Sequence, residues 1–254
     1  MTRARRGTVV FVGSARPDRA TCDRQEQASA CARPGRLERG HARAYRGGGP
    51  GSSLVGALGR PYDAPMLTDQ ERGAITRLWA RKLDQDARDL PKAERHRNLE
   101  PDSAEFILAL AAGLRAKRLC EIGGSSGVST IALAAAARAT GGKLVSIEIE
   151  PRRQAESRAT LEGLGLAPHV ELVLGDAAEV LGRIAALELV LIDCEKEDYI
   201  RFFEMLDLAP SAVVVADNIL SHGLTEYTAH VRARRGAESV TFAIGKGLEV
   251  TRLP

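Results

Sequence analysis

Residues 118–129 of the chain read RLCEIGGSSGVS, which has the pattern of a strand, a glycine-rich turn and the start of a helix. The apolar run 118–122 predicts a strand, and the glycine-rich turn after it leads into a helix that begins at Val128. Glycines at such a turn let the backbone approach a ligand, and the helix offers unpaired amides, although similar turns also occur for packing alone. A dinucleotide fingerprint needs glycine two positions after Gly123, where this chain has Ser125. The stretch therefore predicts a ligand-binding strand–turn–helix unit and argues against a nicotinamide enzyme.

Two predicted helices precede this unit. Thr68 and Glu71 form a capping box, which predicts a helix from there to about Leu90. Pro101 is a good first residue for the second helix.

Alternating strands and helices follow the unit. We predict strands at 144–149, 170–174, 187–192 and 212–216, and helices at 128–139, 151–164, 177–186, about 199–206 and 224–234. The last two strands, 239–244 and 248–253, flank Gly245-Lys246-Gly247 as a terminal hairpin. This order predicts an α/β fold, with a mostly parallel sheet, helices on both faces and an antiparallel strand at the end.

The composition of the 254-residue chain bounds its class. With 44% hydrophobic and 27% charged residues it has enough apolar side chains for a core, which excludes wholesale disorder. No apolar run approaches the roughly 18 residues of a membrane span, so we expect no membrane partner. The four cysteines show neither metal-ligand spacing nor the density of a disulfide scaffold, and we find no secretory pattern. We therefore expect a cytoplasmic protein.

Charge divides the chain into two parts. Residues 1–65 hold 12 arginines, no lysine and 5 acidic residues, a net charge of +7, whereas residues 66–254 carry −4 within a total of +3. We predict a disordered Arg/Gly-rich extension at 1–65 and a folded domain at 66–254. Because Met66 is the next methionine after Met1, we also hypothesise that the natural chain begins at Met66, which the intact mass of the protein from its own host would test.

Ligand sites in such sheets lie at the carboxyl ends of the strands. Glu148, at the end of the second strand, suits a bidentate hold on the two hydroxyls of a ribose. After the third strand, Ala177 leaves room for a flat base and Asp176 is placed to meet an amino group. The alternative for these acids is a solvated charge or a helix cap, and Glu150 is the better cap candidate.

The ends of the fourth and fifth strands carry oxygen ligands. Asp193 follows the fourth strand, and Asp217 and Asn218 follow the fifth. Two carboxylates and an amide match the ligands of a hard divalent cation such as Mg²⁺. Lys196 lies three residues beyond Asp193, and an adjacent dication favours its neutral, basic form. Either aspartate alone is typical of a helix cap, but together they predict a metal site.

Residues 100–254 resemble the cation-dependent O-methyltransferase family that includes catechol and caffeoyl-CoA O-methyltransferases. The resemblance rests on the segments 121–129, 146–149, 175–177, 193–196 with Tyr199, 216–218 and 245–248. It implies a Rossmann-like seven-stranded methyltransferase sheet and an enzyme that moves the methyl group of S-adenosylmethionine to a hydroxyl. Relatives are often dimers, so a homodimer is included among the expected partners.

The resemblance also implies a role for each site residue. The residues expected to bind S-adenosylmethionine are Glu121, Gly123, Gly124, Ser129 near the methionine end, Glu148 at the ribose, Asp176 and Ala177 at the adenine, and Asp193. The cation would be bound by Asp193, Asp217 and Asn218. Two vicinal hydroxyls of a catechol-like substrate would chelate it. Lys196 would be the base, with Asp193 beside it in the catalytic group.

Two departures from the family pattern bear on the substrate. The chain has Leu99-Glu100-Pro101 where plant relatives carry hydroxyl residues, so a side-chain hydroxyl contact is lost. It has Ser221 and His222 near the position of a Trp in caffeoyl-CoA enzymes, and His222 is a candidate substrate contact. Aromatic residues make up only 4% of the chain, which leaves few stacking partners for a large flat acceptor. A small catechol or a dihydroxylated natural-product intermediate fits better.

Two alternatives remain open at this point. A nucleic-acid methyltransferase would use residues 1–65 as a basic arm, but base-methylating enzymes usually place an Asn/Asp-Pro-Pro-aromatic stretch where this chain has Asp193-Cys194-Glu195-Lys196, so we do not expect a nucleic-acid partner. A catalytically inactive S-adenosylmethionine-binding protein would retain the fold without turnover.

Overall fold

The computed structural model of the chain describes residues 66–254. The predicted disorder of the extension at 1–65 lies outside these residues. Within them, no helix is both long enough and apolar enough to cross a membrane.

Seven strands form one sheet. They are β1 (Arg118–Ile122), β2 (Lys143–Glu148), β3 (Val170–Leu174), β4 (Leu187–Ile192), β5 (Leu208–Ala216), β6 (Glu238–Phe242) and β7 (Leu248–Arg252), in the spatial order β3-β2-β1-β4-β5-β7-β6. The first five strands pair in parallel, and β7 runs antiparallel to both β5 and β6. The predicted α/β fold is confirmed, and the antiparallel strand β7 lies between β5 and β6.

Helices cover both faces of the sheet. They are α1 (Asp69–Ala87), α2 (Pro101–Gly113), α3 (Val128–Thr140), α4 (Pro151–Gly163), α5 (Ala177–Leu181), α6 (Tyr199–Met205) and α7 (Thr225–Ala233). Alternate residues of each strand enter opposite cores. For example, Leu189 and Leu191 pack with the core that includes α1, α2 and α3, while Val190 and Ile192 pack with α5, α6 and α7. The continuous apolar runs are therefore strands buried on both faces.

The register aligns the strand ends. Ile122 of β1 pairs with Ile147 of β2 and with Ile192 of β4, and Ile192 pairs with Ala216 of β5. The residues that follow these positions therefore come together along one edge of the sheet, where the sequence places its polar side chains.

Helix α5 and strand β5 depart from their predicted bounds by more than three residues. Helix α5 ends at Leu181 rather than at residue 186, because the chain leaves the helix at Gly182 and Ala186 adopts a positive φ of 55°. Strand β5 begins at Leu208, earlier than predicted, and includes Pro210. Proline is tolerated there because the pairing with β4 shifts register between Leu187 and Leu189.

Candidate active site

One cavity of about 500 Å³ opens at the carboxyl ends of the parallel strands. The predicted site residues that line it are Gly123, Glu148, Asp176, Ala177, Asp193, Asn218 and His222. Five predicted residues do not line it: Glu121, Gly124, Ser129, Lys196 and Asp217. The topology therefore gathers seven of the predicted cofactor, metal and substrate residues around one space, and the other five lie outside its lining.

The glycine-rich turn is shaped by close approach of protein to protein. Gly123 has a φ of +96°, and a Cβ on it would collide with the backbone carbonyl of Asp193. A Cβ on Gly124 would press against the side chains of Ser146 and Glu121. Glycine at 123 thus lets the turn lie against the chain that follows β4, and glycine at 124 lets it lie over the side chains of Glu121 and Ser146.

Glu121 lies beneath this turn. Its Oε2 accepts hydrogen bonds from Thr130 Oγ1 and Ser146 Oγ, both at 2.7 Å. Burial raises the pKa of the Glu121 carboxyl, and hydrogen bonds from neighbouring hydroxyls, including that of Ser129, oppose the rise. Glu121 and Ser129 therefore support the turn from below, so their predicted contact with a cofactor stays a prediction.

Glu148 presents a carboxylate that is already oriented. Its Oε2 accepts the backbone N–H of Ser125 at 2.7 Å, and its Oε1 accepts that of Glu150 at 2.9 Å. The side chain is 7% exposed, and the Arg153 guanidinium lies 3.8 Å away. With one backbone donor on each oxygen, this carboxylate keeps acceptor capacity toward the cavity.

The two residues predicted to lie at the adenine, Asp176 and Ala177, line the same cavity. Asp176 caps α5, because its Oδ1 accepts the backbone N–H of Ala178 at 2.9 Å, and it also lines the cavity. Ala177 is buried beside it. Glu150 caps α4 through the backbone N–H of Arg153 at 2.9 Å, as expected of the better cap candidate.

Asp193 and Asp217 form a buried acid pair. The Asp193 side chain is 9% exposed and Asp217 is 1% exposed. Burial raises the pKa of both carboxyls, and repulsion from Asp193 contributes to raising that of Asp217 to about 8. Oδ1 of Asp217 is buried without a hydrogen-bond partner among the described residues, while its Oδ2 contacts the Asn218 amide nitrogen.

This donor set fits a hard cation. Two carboxylates that repel each other, one with an orphaned oxygen, are stabilised by a positive ion between them. Asn218 adopts φ 66°, a left-handed conformation that asparagine tolerates, and this places its amide next to Asp217. Within residues 66–254, no group of three or more His, Cys, Asp or Glu side chains is placed to hold a metal ion. A cation here would therefore need Asn218 or ligand oxygens to complete its coordination.

Lys196 lies directly behind Asp193. Its Nζ is 3.2 Å from Asp193 Oδ1 and 2.6 Å from the hydroxyl of Tyr199, and the side chain is 12% exposed. The Tyr199 hydroxyl donates to the backbone carbonyl of Asp217 at 3.2 Å. Tyr199 belongs to the quoted motif, but the sequence assigned it no role.

The segment between α1 and α2 covers the cavity, which the sequence did not predict. Its residues Lys92, Arg95, His96, Arg97 and Asn98 line the space. The backbone N–H of Arg97 donates to Ser125 Oγ at 3.0 Å, and Asn98 Nδ2 donates to Ser126 Oγ at 2.9 Å. These bonds join positions 28 residues apart in a stretch without apolar periodicity, so no local pattern indicates them.

His222 and Lys246 also line the cavity, and Glu100, which lies outside its lining, pairs with Lys246. His222 is exposed at the rim, and partial burial together with the charges of Lys196 and Lys246 lowers its pKa. Lys246 Nζ lies 3.0 Å from Glu100 Oε1. Glu100 also raises the pKa of Asp193 and Asp217, so a third carboxylate stands near the acid pair.

The fold and the cavity define a class. A seven-stranded sheet with an inserted antiparallel seventh strand, carrying its cavity at the carboxyl ends of the parallel strands, is the class I methyltransferase fold. Within this class the chain belongs to the O-methyltransferase family, because the family model described as "O-methyltransferase" matches residues 81–240.

Similar proteins carry related names. The chain is 34% identical over 142 residues to catechol O-methyltransferase of Mycobacterium tuberculosis, an alignment that covers 54% of this chain and 62% of that protein. It is 29% identical over 133 residues to catechol O-methyltransferase of Niastella koreensis, covering 50% and 60%. The chain thus spans about three fifths of the length of these relatives.

A solved structure shares the fold. The O-methyltransferase from Bacillus cereus in complex with SAH superposes with a TM-score of 0.62 and 20% sequence identity. The superposition covers 76% of this chain and 94% of that protein. At this level of identity the likeness is one of fold.

Proposed function

We propose that this protein is an S-adenosylmethionine-dependent O-methyltransferase that methylates one hydroxyl of a vicinal diol on a small, catechol-like aromatic molecule. The observation that carries the proposal is the buried Asp193–Asp217 pair, with its orphaned oxygen, next to Lys196. The relatives named catechol O-methyltransferase support the same reaction class.

The cofactor end of the cavity would hold S-adenosylmethionine. When bound, this cofactor supplies a methyl group activated on a sulfonium. Glu148 would accept hydrogen bonds from the ribose hydroxyls on the lone pairs that the backbone N–H groups of Ser125 and Glu150 leave free. Asp176 and Ala177 would contact the adenine, and the turn at Gly123 would face the methionine part. The complex of the Bacillus cereus O-methyltransferase with SAH supports a cofactor of this type.

The acid-pair end would hold a divalent cation. Asp193, Asp217 and Asn218 would be its protein ligands. When bound, Mg²⁺ lowers the pKa of a hydroxyl and orients two adjacent oxygens. Lys196, held 3.2 Å from Asp193 Oδ1, would remove the proton of the hydroxyl that is methylated. Because the methyl donor is already activated, the main task of these residues is positioning.

The cavity favours a small acceptor. Among the described residues that line it, Phe202 is the sole Phe, Tyr or Trp, so stacking partners for a large flat molecule are scarce. His222 stands at the rim beyond Asn218, and we propose that it contacts the acceptor. A single catechol ring with a short substituent matches these walls better than a coenzyme A thioester.

A metal-supplemented substrate panel tests the proposal. The full chain is incubated with S-adenosylmethionine, Mg²⁺ and a set of vicinal diols, namely catechols, hydroxycinnamates and flavonoids. Matched controls are phenol and a meta-diol, which offer a hydroxyl but no adjacent pair. We expect mass spectrometry to find singly methylated products from vicinal diols only. Equal methylation of phenol, or binding of S-adenosylmethionine without turnover of any diol, would overturn the proposal.

A further inference from the structure

Tyr199 connects the residues that follow β4 with those that follow β5, next to the Asp193–Asp217 pair. It is the first residue of α6 and is fully buried. Its hydroxyl accepts a hydrogen bond from Lys196 Nζ at 2.6 Å and donates one to the backbone carbonyl of Asp217 at 3.2 Å. One hydroxyl therefore links the side chain that follows β4 to the backbone that follows β5.

The direction of these bonds makes Tyr199 an acceptor for Lys196. A hydroxyl has one hydrogen to donate, and here it donates that hydrogen to the backbone carbonyl of Asp217, which can only accept a hydrogen bond. The oxygen lone pairs are then left to face the Lys196 nitrogen. The same nitrogen lies 4.7 Å from the centroid of the Tyr199 ring, which places it at the hydroxyl end of the ring.

Lys196 needs such a hold. It sits on a short 3₁₀ turn, Lys196–Asp198, and lysine has a long side chain with many rotamers. Asp193 supplies one contact, at 3.2 Å, but Asp193 is also a proposed metal ligand. Tyr199 supplies the shorter contact and has no other task in the proposed reaction.

A neighbouring tyrosine, Tyr227, is buried by packing but makes no hydrogen bond through its hydroxyl among the described residues. Tyr227 is 2% exposed, and its ring packs edge-on against that of Tyr199 with centroids 5.5 Å apart. Its hydroxyl has no hydrogen-bond partner among residues 66–254. These two buried tyrosines of one aromatic cluster therefore differ in what their hydroxyls contact.

We propose that Tyr199 is a positioning residue that fixes the Lys196 amine relative to the ends of β4 and β5. The proposal rests on the proposed function, in which Lys196 is the base. Tyr199 does not touch the substrate; it acts through Lys196.

Four variants of the full chain test this: Tyr199→Phe, Tyr227→Phe, Lys196→Ala and the double variant Lys196→Ala/Tyr199→Phe. For each we would measure kcat and KM with a vicinal diol that the wild type methylates, the Kd for S-adenosylmethionine, and the melting temperature. All assays would run well below the lowest melting temperature. Tyr199→Phe should lower kcat by about 10- to 100-fold, because a misplacement of about 1 Å costs a rate factor of that order. KM and Kd should stay within about twofold, and Tyr227→Phe should keep the wild-type kcat.

The double variant separates positioning from packing. If Tyr199 acts through Lys196, removing its hydroxyl should not lower the activity of Lys196→Ala further. A wild-type kcat in Tyr199→Phe, or an equal loss in both backgrounds, would overturn the proposal. A fall in kcat in Tyr227→Phe as large as that in Tyr199→Phe would also overturn it, because packing would then explain both. Wild-type kcat in Lys196→Ala would instead refute the Lys196 base in the proposed function.

Discussion

Two carboxylate sites at the same edge of the sheet are built in opposite ways. Glu148, the last residue of β2, receives a backbone N–H on each oxygen. Asp217, just after β5, has one oxygen without a partner among the described residues, and it is buried near a second acid. In the first site, which we call the complete site, the protein supplies a donor to each carboxylate oxygen, and the remaining lone pairs suit neutral hydroxyl donors. In the second, the incomplete site, the protein leaves one buried oxygen without a donor, which suits a bound positive charge.

The difference has an energetic consequence. A buried polar atom left without a partner costs about 1–3 kcal/mol, and more when it is charged. The Asp193–Asp217 pair therefore destabilises the metal-free fold, whereas the Glu148 site does not. A ligand that supplies positive charge removes this cost, which couples cation binding to stability.

The largest expected effect comes from breaking the incomplete site. Asp217→Asn keeps the shape of the side chain but removes one charge from the proposed cation ligands. We expect turnover of a vicinal diol to fall by about 10³-fold, because a metal contributes several kcal/mol to such a reaction. Steady-state kinetics measure this, and calorimetry should find Mg²⁺ affinity reduced and S-adenosylmethionine affinity within about twofold.

Asp207→Asn is the matched control for this prediction. It is the same chemical change immediately before β5 begins, at the opposite end of that strand, outside the residues that line the cavity. It should leave turnover and both affinities unchanged. Wild-type turnover in Asp217→Asn would show that the acid pair does not take part.

An intermediate effect is expected from breaking the complete site. In Glu148→Gln the amide nitrogen must face one of the backbone N–H groups of Ser125 and Glu150, which now lacks an acceptor. Hydrogen bonds to a charged group are worth about 1.5–3 kcal/mol, so the Kd for S-adenosylmethionine should rise about 10- to 100-fold. Calorimetry with the cofactor measures this.

Glu150→Gln, two residues away on the cap of α4, should leave that Kd near the wild-type value. Mg²⁺ affinity should be unchanged in both glutamine variants. If Glu148→Gln instead weakened Mg²⁺ and spared the cofactor, the two sites would have been assigned the wrong way round.

The stability of metal-free protein should depend on pH through Asp217. Its pKa rises from 3.8 to about 8 in the fold, so between these values the folded state binds the proton that the unfolded state has lost. Stability from this group is therefore present at low pH and is lost as pH rises toward 8. In EDTA, the melting temperature of the wild type minus that of Asp217→Asn should fall between pH 5.5 and pH 8, and saturating Mg²⁺ should reverse the fall. A difference that stays constant with pH would contradict a raised pKa.

The smallest effect is expected far from both sites. Thr68 caps α1 through the backbone N–H of Glu71 at 3.2 Å, and Glu71 Oε2 accepts the backbone N–H of Thr68 at 2.8 Å. Thr68→Ala should cost about 1 kcal/mol of unfolding free energy and lower the melting temperature by about 2–4 °C. Turnover and both affinities below that temperature should not change. A loss of turnover here would mean that small losses of stability alone disturb the site.

Local patterns in the sequence predict most of the fold. Apolar runs bounded by glycine and aspartate mark strands buried on both faces, and the register then brings their ends together, which is why Glu148 and Asp193 meet in one cavity. The confirmed cap of α1 is equally local, since it needs only Thr68 and Glu71.

Features that depend on distant contacts could not be predicted. The segment over the cavity is held by polar bonds from Arg97 and Asn98 to the glycine-rich turn, and these have no periodicity. The contacts of Tyr199 depend on a backbone carbonyl 18 residues further along the chain. Glu121 lies outside the cavity lining, beneath a turn whose Gly124 closely approaches the side chains of Glu121 and Ser146.

The most direct test of the contrast between the two sites is a metal titration of activity. Protein treated with EDTA is supplied with saturating S-adenosylmethionine and a vicinal diol, and initial rates are recorded as Mg²⁺ is returned. We expect the rate to fall by about 10²-fold or more in EDTA and to recover fully with Mg²⁺, with no recovery in Asp217→Asn. Full activity in EDTA, unchanged by Mg²⁺, would contradict the proposal that the Asp193–Asp217 site works by holding a cation.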